Sequence, residues 1–70
     1  MIGTDELRKR FTYHAPKEGQ PKTYQQLREN AGYYAELIDQ LCPDSREKSL
    51  AITKLEEAVF WANAAIARNG

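Results

Sequence analysis

Between Ser45 and Arg68, the apolar residues Ile52, Leu55, Val59, Ala62 and Ile66 recur at alternating steps of three and four. That spacing predicts one continuous stripe along a helix. Trp61 and Ala65 fall off the stripe on one side, and Phe60 falls off it on another. The polar positions are particular too: Ser49, Thr53, Asn63 and Asn69 replace the interchangeable Lys and Glu of an ordinary solvated face. A helix with more than one apolar face needs more than one neighbour, and a chain of 70 residues offers few. The pattern therefore predicts an oligomer.

A second periodic segment precedes it. Leu27, Ala31, Tyr34, Ile38 and Leu41 repeat at four, three, four and three, a heptad-like seam. Thr23 and Gln26 have the spacing of a capping box, with Pro21 just ahead, so a helix is predicted over 23–42. Pro43 stops it. Asp44 is placed to cap the next helix and Glu47 to complete a second box, giving a helix over 44–69 before Gly70. Two helices joined so closely must fold back as a hairpin. The fold class is all-α, and the whole chain is one domain.

Residues 1–22 read as an arm and loop. Thr4 to Arg10 suits a turn or two of helix or an arm, with Asp5 and Glu6 leading and Arg8, Lys9 and Arg10 trailing in accord with the helix dipole. Phe11 to His14 is β-prone and extended. Ala15-Pro16 and the run Lys17 to Pro21 form a loop.

Size sharpens the oligomer argument, since one small core barely offsets the ordering of so short a backbone. One cysteine and one histidine leave no disulfide and no zinc site within a protomer. Cys42 reads as a small buried residue in a reducing compartment. Ten basic and ten acidic residues cancel, which argues against polymeric DNA or RNA and against a membrane surface as partners. No apolar run is long enough to span a bilayer, and Met1-Ile2-Gly3 opens no signal-peptide pattern, so a soluble cytoplasmic chain is expected.

Catalysis finds little support. His14 and Cys42 lie 28 positions apart on different elements, so a nucleophile with an adjacent base is not built in. Glu56 and Glu57 are neighbours about 100° apart around a helix and do not face one another. No enzyme and no cofactor is expected. The strip from Arg8 to His14 is more suggestive: cations beside aromatics suit a small anionic ligand with flat rings, which stack on Tyr13, Phe11 or His14. Arg28 flanks the seam of the first long helix and is the second candidate, with Lys17 and Arg10 able to supply further charge. The competing reading is an arm whose aromatics simply pack on a neighbouring subunit.

The stretches RFTYHAPKEGQ, Tyr24 with LREN, and above all CPDSREKSLAITKLEEAVFWANAAIARN resemble the hook domain of phage immune-evasion sponges. That domain is found in the anti-CBASS cyclic-oligonucleotide sponge and at the C-terminus of an anti-Thoeris sponge, to which the likeness is greater. The resemblance implies a non-enzymatic hairpin of long kinked helices with an extended N-terminal arm. Such hairpins interlock as dimers, and three dimers make a hexamer. It implies sequestration of cyclic dinucleotides without degradation, in the cytoplasm of an infected bacterium. Cyclic trinucleotides are a further ligand of some members. Carried over residue by residue, the pocket tyrosine falls on Tyr13 and the pocket cation on Arg28, where the family has lysine. His14, Lys17 and Arg10 would form the pocket wall. The arginine of the trinucleotide site falls on Ala64, so that activity rests on Asn63 or Arg68 substituting. The β-rich region that shapes the cyclic ADP-ribose pocket of anti-Thoeris proteins has no counterpart here, which makes that ligand less expected. The rival reading is a scaffold that oligomerises through the hook and binds no nucleotide.

Overall fold

A computed structural model describes residues 1–70 as three helices: α1 (Thr4–Phe11), α2 (Gln20–Leu41) and α3 (Arg46–Asn69). No strand is present. The two long helices run uninterrupted for 22 and 24 residues and fold back on each other. Their pairing is antiparallel. Leu27 shares a groove with Ala62 and Ile66, Ala35 shares one with Ile52 and Leu55, and Asp39 meets Lys48 at the turn.

The α3 stripe behaves as the spacing predicts: Ile52, Leu55, Val59, Ala62 and Ile66 are all half-buried. On α2 the packed row is Tyr24, Leu27, Ala31, Ala35 and Ile38. Tyr34 and Leu41, expected in the seam, are 57% and 73% exposed instead. The row advances by three, four, four and three, so Tyr24, Ala31 and Ile38 keep the seven-residue spacing while Ala35 takes the place expected of Tyr34. Near the middle of the hairpin the small Ala31 and Ala35 of α2 share a groove with Ile52, Leu55 and Val59 of α3.

The ends of the helices correct several details. The α2 helix starts at Gln20, because Gly19 enters at φ 83°, which glycine tolerates, and Pro21 fits the first turn. Thr23 is consequently inside the helix, where its Oγ1 donates to the Gly19 carbonyl at 3.2 Å, and it caps nothing. At α3 the cap is Ser45 and not Asp44: Ser45 Oγ accepts from the Lys48 amide at 3.1 Å. Asp44 turns outward to the Lys48 ammonium at 2.8 Å. Cys42, expected buried, is exposed because it lies at the tip of the turn. In the N-terminal segment the helical alternative holds, and it extends far enough to take in Phe11; Thr12 then turns extended.

No residue of the chain is buried. The molecule measures 45 × 33 × 12 Å, little more than one helix deep. Its radius of gyration is 15.5 Å, against about 11 Å for a compact domain of this length. It exposes 5921 Å², whereas a folded monomer of 8.0 kDa exposes about 4,450 Å². Two layers are the minimum that encloses a core, and this protomer supplies one.

Candidate functional site

The second face of α3 carries the site. Phe60, Asn63 and Ala67 follow one another at steps of three and four, with Ala64 and Arg68 beside them. His14 from the connection after α1, and Tyr24 from the first turns of α2, border these residues. Together they line a groove of about 390 Å³, within the size range of small-molecule sites.

His14 and Phe60 are held by definite contacts. His14 Nε2 donates to the Lys9 carbonyl at 2.8 Å, satisfying an end group of α1 and fixing the imidazole against the groove. That bond requires the proton on Nε2. Phe60 meets Trp61 edge-to-face, with ring centres 5.5 Å apart and planes at 89°. Arg68 lies in the last turn of α3, where a cation complements the helix dipole, and it is half-buried. Ala64 and Ala67 leave the floor shallow. Asn63 Oδ1 is closed off from solvent and has no donor against it, the one such side-chain atom in the molecule.

Of the residues singled out in the sequence, His14, Asn63 and Arg68 are therefore brought together. Tyr13 is 83% exposed beside His14 and does not line the groove. Arg28 borders a different groove, of about 260 Å³, between α2 and α3 with Gly32, Glu56 and Val59. Tyr13 and Arg28 thus do not share a cleft within one protomer. Arg10 is ion-paired to Glu6 at 3.0 Å on the exposed side of α1. Lys17 donates to the Gly70 carbonyl at the end of α3, and its own amide donates to Gln20 Oε1 at 2.8 Å. The first bond ties the loop to the end of α3, and the second is local to the start of α2.

Two groove residues, Tyr24 and Phe60, were not anticipated as lining a site. The signal available was the second period of α3, from Phe60 through Asn63 to Ala67, read earlier only as surplus apolar surface. A third unanticipated residue is Lys48. Its side chain is only 12% exposed and binds Asp39 Oδ1 and Asp44 Oδ1, each at 2.8 Å, and the Asp39 carbonyl at 2.9 Å. The hydrogen bond from Lys48, helped by its charge, holds the Asp44 carboxyl below its usual range. The bonds to Asp39 and Asp44 raise the Lys48 ammonium in turn.

No group of three or more histidine, cysteine or carboxylate side chains converges as metal ligands. No helix is long and apolar enough to cross a membrane. No curated protein and no solved structure matches the chain. The family model for the Acb2/Tad1 hairpin domain matches residues 4–67, from the start of α1 to two residues short of the end of α3. The chain belongs to the Acb2/Tad1 hairpin-domain family of phage anti-CBASS and anti-Thoeris sponge proteins.

Proposed function

We propose that the protein is a phage immune-evasion sponge that binds cyclic dinucleotide second messengers of bacterial antiviral defence and stores them intact. The family match carries this reading, since the family binds and does not catalyse. The groove supports it physically. Arg68 offers a guanidinium to phosphate. Phe60 and Tyr24 offer ring faces to bases. The site of action is the cytoplasm of the infected host.

Assembly belongs to the same proposal. The protomer exposes about 1,500 Å² beyond a monomer of its mass, and an ordinary specific interface removes about 800 Å² from each partner. Two interfaces per chain absorb that excess, as in a trimer of dimers. Tyr13 and Arg28, apart in one protomer, meet across a subunit boundary in such a hexamer. There Tyr13 stacks on a base and Arg28 holds a phosphate, with His14, Lys17 and Arg10 around them. Arg68, one turn beyond Ala64, with Asn63 beside it, takes the place of the absent arginine for cyclic trinucleotides.

Native mass spectrometry after incubation with a panel of cyclic di- and trinucleotides tests the whole reading. The expected result is a hexamer carrying ligand, and heating then releases the nucleotide unaltered. A hydrolysed nucleotide would make the protein an enzyme. The scaffold reading is favoured by the same exposed apolar surface, and a hexamer whose melting point no cyclic nucleotide raises would establish it.

A further inference from the structure

We infer that His14 binds phosphate in the groove it shares with Arg68, and that it takes up a proton when a cyclic dinucleotide enters. This rests on the sponge reading and adds a regulation to it, since storage is then tighter in acid. The chain has one histidine, and the fold commits one side of its ring. Nε2 lies 2.8 Å from the Lys9 carbonyl, which only accepts, so Nε2 carries a proton. Nδ1 has no partner in the chain. Asn63 Oδ1 is the one unpartnered polar side-chain atom that is closed off from solvent, so Nδ1 is open. In the neutral ring Nδ1 accepts, and a phosphate oxygen set against it meets lone pair with lone pair. In the imidazolium both nitrogens donate, Nε2 to the carbonyl and Nδ1 to the phosphate. Phosphate thus selects the protonated ring, and by reciprocity the protonated ring binds phosphate more tightly.

The charges around His14 leave the counterion to a ligand. Lys9 of α1 meets the ring through its carbonyl, while Tyr24 of α2 and Arg68 of α3 share its groove. No carboxylate lines that groove, and Glu18, on the same connection as His14, is not part of it. Glu6 lies in the adjoining groove with Lys9 and Arg68, where Arg10 engages it at 3.0 Å. One phosphodiester placed between the imidazolium and the guanidinium serves both.

The experiment follows the His14 ring by NMR through a pH titration, free and with each of cyclic di-AMP, cyclic di-GMP, cyclic GMP-AMP and cyclic di-UMP. A single histidine gives one set of ring signals. Between about pH 5 and 8, where imidazoles change charge, phosphodiesters keep theirs. With a bound probe, the ring is expected to stay protonated to higher pH than in the free protein. Calorimetry at constant ionic strength is expected to find binding about tenfold or more tighter at the acid end, the worth of a charge-assisted hydrogen bond. A ring that loses its proton at the same pH in the complex, or at a lower one, overturns the inference without any variant. His14→Gln keeps a donor for the Lys9 carbonyl and takes no proton, so its affinity is expected to be the same across the range. Acid strengthening that persists in it also overturns the inference. Binding with an unmoved titration removes the role of His14 alone, whereas no binding of any of the four probes removes it together with the sponge reading.

Discussion

Tyr13 and Arg28 stand at different grooves of one protomer, and each can be removed without touching a packed residue. Tyr13 is largely exposed, and Arg28 lies at the lip of its groove with no ion pair. Tyr13→Ala and Arg28→Ala are each expected to weaken cyclic dinucleotide binding by about tenfold, the worth of a stacked base or a charge-assisted contact. Mass measurement should find the assembly unchanged in both. Loss of binding only together with dissociation would place the two residues in an interface instead. Trp61 predicts the opposite division. The residue is 55% exposed in the protomer beside a Phe60 that is also open, and large aromatics at such positions anchor interfaces. Trp61→Ala is expected to shift the assembly toward smaller species at micromolar concentration before it affects any ligand contact. An intact assembly with lost nucleotide binding would assign Trp61 to the ligand.

Among the elements, α3 was the most legible and the N-terminal segment the least. The Ile52 to Ile66 stripe is a period that only one geometry satisfies, so the sequence determines which face packs. The α2 seam was misread because Tyr34 and Leu41 fit a heptad as well as Ala35 fits the true row, and periodicity does not say which large residue stays outside. Cap positions were missed for a related reason: Thr23, Asp44 and Ser45 are all acceptable caps, and backbone angles at Gly19 and Ser45 choose between them. The groove at His14 depends on where the connection after α1 crosses α3. That is a tertiary placement with no local signature.

Two predictions belong to this level. Adding a Cβ at Gly32 meets nothing within 4 Å in the protomer, so Gly32→Ala should stabilise an isolated hairpin by about 1 kcal/mol. A lowered melting temperature of the assembled protein would show that another backbone approaches at that point. The Lys48 cluster sets a pH window. The Asp44 pKa is held below 3.8, so its contribution is present above that value and is lost as pH falls through the depressed one. The Lys48 pKa is raised above 10.5, so its contribution persists below that value and is lost as pH rises through the elevated one. Lys48→Met should lower the melting temperature at pH 7, by a modest amount because both carboxylates are exposed. That difference should shrink in strong acid. A pH-independent difference would assign the effect of Lys48 to packing of its methylene chain.

At the scale of the whole molecule, the surplus surface governs. Exposed Tyr33, Tyr34, Leu37, Leu41, Leu50, Phe60 and Trp61 lie on both long helices, so no single contact covers them all. The composition foretold this excess, but not its arrangement, because the sequence does not say which copy covers which face. If assembly completes the fold, melting temperature must rise with protein concentration. Scans across a hundredfold dilution series check this, and an invariant midpoint would mean that the hairpin is stable alone.

A slab one helix deep also has a consequence in time. A chain that finds its second layer only in other copies matures at a rate set by a higher power of its abundance. If assembly supplies that second layer, scarce copies would stay more open to proteases than abundant, assembled ones. If the proposed sponge assembles in this way, its capacity does not grow in proportion to synthesis: it lags while copies are scarce and rises steeply once they are plentiful, so the speed of expression would set when the store exists.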